Sequence, residues 1–151
     1  MDANYVYYDS VEPDFITLTT ALDNELAQKN GELHSTYNQY NKLTGIKDVI
    51  VAYVNNEPVG CASIKYFEQD TFEVKRVFVT EEYRRFGIAK EMMKRIEELA
   101  KAKGIKSLVL ETSKDFLPAV TLYKNLSYQV IENYGQYKDL DQSVCMKKVL
   151  E

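Results

Sequence analysis

The chain has 151 residues, 45% of them hydrophobic and 28% charged, with a formal net charge of −4. That is the size of one ordinary domain able to bury its own core, so a single domain over 1–151 is expected. The acidic balance gives no general attraction to nucleic acid or an anionic membrane, and no apolar stretch approaches the length of a membrane span.

In chain order, Met1-Asp2-Ala3-Asn4 lacks the basic region and apolar run of a signal peptide, so the expected location is cytoplasmic. Asn4 to Tyr8 is a short β-prone run. Pro13 then leads a helix carrying Ile16, Leu18, Leu22 and Leu26, which Gly31 stops. The stretch from His34 to Leu43 is ambiguous and reads as one short helix at most. His34 is the only histidine, and no set of His, Cys and acidic residues has metal-ligand spacing, so no metal is expected.

Val49 to Val54 and Val59 to Phe67 read as strands of a hairpin turning at Asn55-Asn56-Glu57-Pro58, and Asp70-Thr71 turns into a strand from Phe72 to Val79. Ile88, Met92, Ile96, Leu99 and Ala100 repeat at helical spacing up to Gly104, with Glu91/Arg95 and Glu97/Lys101 pairing on the outer face. A strand from Ser107 to Leu110 follows. Asp115 is the expected N-cap of a helix that tolerates Pro118 in its first turn and bears Ala119, Val120, Leu122, Tyr123 and Leu126. Strands near Tyr128 to Ile131 and Val144 to Val149 close the chain around a tyrosine-bearing loop. Cys61 and Cys145 lie in apolar runs and are expected to be reduced core thiols. The alternation predicts a mixed α/β domain with no internal repeat.

The junction Arg84-Arg85-Phe86-Gly87-Ile88-Ala89 leads from a strand into the long amphipathic helix. Unpaired N–H groups and the positive end of the helix dipole converge there, which suits a phosphate or pyrophosphate. Gly87 lets backbone approach a ligand without a Cβ in the way. The plainer reading is a helix whose first turn happens to hold a glycine and two arginines.

Three linked segments bear on this choice: Phe72-Glu73-Val74-Lys75-Arg76-Val77-Phe78-Val79, then Arg84-x-x-Gly87-x-Ala89, then Ala119-x-x-Leu122-Tyr123-Lys124-Asn125-Leu126-Ser127-Tyr128. In order and spacing they resemble the GCN5-related N-acetyltransferase (GNAT) family, from about Val49 onward. The resemblance implies a mixed central sheet, splayed where acetyl-coenzyme A (acetyl-CoA) binds, with helices on both faces. It implies that the amides of Arg85, Phe86, Gly87, Ile88 and Ala89 hold the pyrophosphate, with Arg84 at the motif's first position. The pantetheine arm would pair with the strand edge at Val77 and Val79, whose plainer role is sheet core. A backbone N–H near Val77 is the candidate oxyanion donor.

By the same resemblance Tyr123 points at the cofactor sulfur as general acid; otherwise it is a helix tyrosine covering the sheet. A phenol pKa of about 10 against about 8.5 for a thiol makes full proton transfer uphill by roughly 2 kcal/mol, so Tyr123 would act first as a hydrogen-bond donor. Glu73 is the best placed carboxylate to take the amine's proton, its alternative being a salt bridge with Lys75 or Arg76. A water chain ending in Glu111 could do the same job. Tyr134 and Tyr137 fall in a loop that would line the acceptor pocket, or they form a surface pair. Two positions depart from the family pattern: Ser127 replaces a glycine at a left-handed turn, and Phe116 replaces a polar asparagine. The expected activity is acetyl transfer from acetyl-CoA to a primary amine by direct attack. A noncatalytic acyl-CoA binding or sensing module is the alternative. The acceptor, a small molecule or a peptide amine, and a homodimer are left open.

Overall fold

A computed structural model describes residues 2–30 and 43–151. The readings placed on Gly31, His34 and the rest of 34–42 lie outside the described residues. Among the described residues seven strands form one mixed sheet in the order β1-β2-β3-β4-β5-β7-β6. These are β1 (Asn4–Tyr8), β2 (Ile46–Val54), β3 (Glu57–Glu68), β4 (Thr71–Val79), β5 (Ser107–Ser113), β6 (Gln129–Ile131) and β7 (Ser143–Val149). Pairing is parallel between β4 and β5 and antiparallel for β1/β2, β2/β3, β5/β7 and β6/β7. The flanking helices are α1 (Pro13–Asn30), α2 (Ile88–Ala102) and α3 (Leu117–Asn125). The sheet and its helices give the mixed α/β class that the alternation predicts.

The chain divides into two compact units. The first comprises Met1–Lys65 and Lys75–Ile96. In it Phe15 and Leu18 of α1 pack on Ile46, Val49, Val51, Cys61 and Phe78. Ile16, expected on the apolar face, is exposed, because the buried stripe runs through Phe15, Leu18 and Thr19. The neighbouring strand residue Gly60 faces the other way and meets α2: a Cβ there would stand 3.1 Å from Met92 and 3.4 Å from Ile88. Helices on both sides explain why β2 and β3 are nearly continuous apolar runs. The hairpin turns on Asn55 and Asn56 alone, at φ 51° and 66°. Glu57 and Pro58 belong to β3, where a register shift beside Tyr53 accommodates a residue with no N–H to donate.

The second unit comprises Tyr66–Val74 and Glu97–Glu151. Its core gathers Leu108, Leu110, Cys145, Met146, Tyr123, Tyr128 and Tyr137, all buried. Gly104, at φ 80°, ends α2 with bonds from Ile105 N–H to Ala100 O and Gly104 N–H to Lys101 O. Ser127 ends α3 in the same way at φ 76°, the left-handed turn expected there, where a Cβ costs of order 1 kcal/mol. Asp115 is not the N-cap. Phe116 is, without a side-chain bond, because Asp115 is spent in a turn whose amides donate to Ser113. Glu91 and Arg95 pair at 2.9 Å as expected. Glu97 instead accepts from Lys148 at 2.8 Å and Tyr128 at 3.0 Å, partners that sequence spacing does not show.

Candidate functional site

The segment expected to form the cradle lies in the first unit. After β4 a single 3-10 turn, Glu81–Tyr83, delivers the chain to Arg84, and α2 begins at Ile88. Arg85 and Gly87 both take left-handed backbone, φ 71° and 80°, which curls the loop over the helix start. Glu91 N–H to Gly87 O, at 3.0 Å, opens the helical ladder, so the N–H groups of Ile88, Ala89 and Lys90 precede it. No heavy atom lies within 4 Å of where a Gly87 Cβ would stand. Phe86 is exposed. Gly87 and Ile88 also border an open cleft of about 690 Å³ with Tyr5, Glu91 and Arg95.

Arg84 is a brace. Its Nε donates to Val79 O at 2.8 Å and its Nη2 to Glu25 of α1 at 2.7 Å. Val79 therefore enters any cofactor pairing with one carbonyl lone pair already used. Val79 is buried and Val77 half-buried, consistent with sheet core. Arg76, absent from the candidate set except as a partner for Glu73, holds α1 instead through Thr19 O and Asp23. Its φ of 60° inside a strand is a strained conformation that no local sequence signal announces.

Glu73, Glu111, Tyr123, Tyr134 and Tyr137, the side chains expected to handle protons or line the acceptor pocket, lie in the second unit. Glu73 is 5% exposed, and its Oε2 accepts the Tyr134 hydroxyl at 2.7 Å. Glu111 Oε2 accepts Ser143 Oγ at 2.6 Å. Tyr134 packs edge-on against Phe67 and Tyr137, with ring centroids 4.7 and 5.7 Å away. Tyr137 is 2% exposed, so these residues are not a surface pair. Burial, then the charge and hydrogen bond of Glu73, push the Tyr134 phenol far above its ordinary range. Burial followed by the charges of Glu111 and Glu73 does the same to Tyr137.

Tyr123 is buried at 6% exposure, edge-on to Tyr128. Burial first and the Glu111 charge second raise its phenol pKa, so it keeps its proton at any neutral or mildly alkaline pH. It can donate a hydrogen bond readily and give up its proton only to a strong base. Cys61 and Cys145 are free and buried, their thiols pushed up to about 12 and about 11, mainly by burial. Neither is an activated nucleophile. Among the described residues no group of His, Cys, Asp and Glu could hold a metal ion, and no helix is long and apolar enough to cross a membrane.

Comparison with known proteins matches the chain to one group. The model of the acetyltransferase (GNAT) family matches residues 13–128. The uncharacterized N-acetyltransferase YsnE of Bacillus subtilis is 32% identical over 101 residues, covering 66% of this chain and 67% of that protein. A Klebsiella pneumoniae structure assigned to the acyl-CoA N-acyltransferases superposes with a TM-score of 0.81 at 24% identity, covering 99% of this chain and 98% of that one. A GNAT family acetyltransferase of Elizabethkingia anophelis, solved with acetyl-CoA bound, superposes at 0.73 with 22% identity, covering 98% of each chain.

Proposed function

The chain belongs to the acetyltransferase (GNAT) family, and on that premise we propose that it transfers an acetyl group from acetyl-CoA to a primary amine by direct attack in a ternary complex. The observation that carries this reading is the loop from Arg84 to Ala89: two left-handed residues, a helix start, and open space where a Gly87 side chain would stand. Such a loop fits a pyrophosphate laid against backbone N–H groups. Arg85, Phe86, Gly87, Ile88 and Ala89 would hold that group, and Val77 with Val79 the arm that follows it. When bound, acetyl-CoA supplies an activated thioester.

This chain's own residues then handle protons. Glu73 takes the proton that the amine must lose, and Tyr123 donates a hydrogen bond to the sulfur as charge builds there. Because burial raises the Tyr123 pKa, the complete transfer of its proton comes late. The buried thiols take no acetyl group, which argues for one direct displacement over a covalent acyl-enzyme.

The test is thiol release from acetyl-CoA across a panel of a polyamine, an antibiotic amine, an amino acid and a peptide amine, beside a control lacking acceptor. Release that requires one of these amines is expected. Tight acetyl-CoA binding with no amine-dependent release anywhere in the panel would favour a binding or sensing module.

A further inference from the structure

The segment from Asn133 to Ser143 holds a hydroxyl donor against each of two carboxylates of the second unit, Glu73 and Glu111. Its anchor is a single side-chain amide. Asn133 Nδ2 lies 3.2 Å from Tyr137 O, 3.2 Å from Leu140 O and 3.1 Å from Ser143 O, so three carbonyls spread over the loop share its two hydrogens. Backbone bonds from Tyr137 to Tyr134 O, Leu140 to Tyr137 O and Ser143 to Leu140 O complete the closure. At one end of this loop Tyr134 donates to Glu73; at the other Ser143 donates to Glu111.

We infer that Tyr134 is a positioning residue for Glu73, held in place by the Asn133 clip, and that it fixes the carboxylate plane for the proton transfer from the acceptor amine. This rests on the reading of Glu73 as the proton acceptor. A hydrogen bond to one oxygen, from a ring packed against Phe67 and Tyr137, narrows the orientations the buried carboxylate takes toward an amine. In the step itself the amine N–H bond breaks and an O–H bond forms on Glu73. The electron pair left on nitrogen forms the C–N bond at the thioester carbonyl, the C–S bond breaks, and the departing thiolate takes a proton by way of the Tyr123 hydroxyl. Tyr134 neither gains nor loses a proton. Tyr137 and Cys145, both buried, also feel the Glu73 charge, and Glu111 acts on the same two.

Tyr134→Phe keeps both ring contacts and removes only the hydroxyl, so packing alone predicts no change. With a reactive amine identified, this variant should lose about tenfold in kcat while acetyl-CoA Kd stays within about twofold. In a Glu73→Gln background the same change should cost nothing further, because the group it positions is gone. Asn133→Ala should show the same pattern; if it does not fold, Tyr134→Phe decides alone. Wild-type kcat in Tyr134→Phe beside an impaired Glu73→Gln, or equal losses in both backgrounds, would overturn the inference. Wild-type turnover in Glu73→Gln would overturn it for a different reason, locating the error in the choice of Glu73.

Discussion

Gly87 and Gly104 offer a matched pair of perturbations. Both sit at φ 80°, and an added Cβ at either would meet no heavy atom within 4 Å. Gly87→Val and Gly104→Val therefore impose the same left-handed strain with open space at the added Cβ, each about 1 to 2 kcal/mol of fold stability. For a chain of this length that lowers Tm by roughly 2 to 4 °C per kcal/mol. Only the Gly87 branch enters the space assigned to the pyrophosphate, so acetyl-CoA affinity should fall more than about tenfold, or about 1.4 kcal/mol, in Gly87→Val and stay unchanged in Gly104→Val. Calorimetric titration on both folded variants, with thermal melts to confirm equal strain, reads the difference. Equal affinities in the two variants would refute the cradle assignment, because strain would then be the whole effect.

Tyr123→Phe should lower kcat roughly 10²-fold with acetyl-CoA Kd nearly intact; a wild-type rate across pH 6 to 9 would remove Tyr123 from the mechanism. Cys61→Ala and Cys145→Ala should each turn over within a few-fold of wild type, and iodoacetamide should label neither thiol at pH 8 until denaturant is added. Because burial lifts both thiols from 9.0, to about 12 and about 11, the folded state holds these protons more tightly than the unfolded one. Their contribution to stability is thus level below pH 9 and lost as pH rises toward 11 and 12, and urea midpoints should fall less steeply above pH 9 in the alanine variants. Ser127→Gly should raise stability by about 1 kcal/mol, read as a higher urea midpoint at constant slope, since φ 76° suits glycine and penalises serine.

What the sequence made legible was local. The Asn55-Asn56 turn, the Gly104 stop and the left-handed Ser127 all follow from backbone preferences of single residues, and the loop at Gly87 follows from a glycine placed before an amphipathic helix. Contacts between distant segments carry no such mark. Tyr134 reaches Glu73 across 61 positions and Arg84 reaches Glu25 across 59, and only the fold brings these residues together. Tyr137 illustrates the same limit: a tyrosine between glycine, glutamine and lysine looks like surface, yet the closed loop turns its ring into the core. Asp115 shows a local rule losing to another, since the turn at Ser113 consumes it before the helix begins. For Asn133 the signal would have been a polar residue able to bond several carbonyls at the start of a glycine-bearing loop, which marks a loop anchor without saying what it anchors.

The claim of direct transfer is tested most directly by following a labelled acetyl group. After a single turnover with labelled acetyl-CoA and a reactive amine, the account predicts that the label appears on the amine, and that protein incubated with acetyl-CoA alone keeps its original intact mass. A labelled protein that passes its acetyl group to amine added afterwards, or thiol release with no acetylated amine formed, would contradict it.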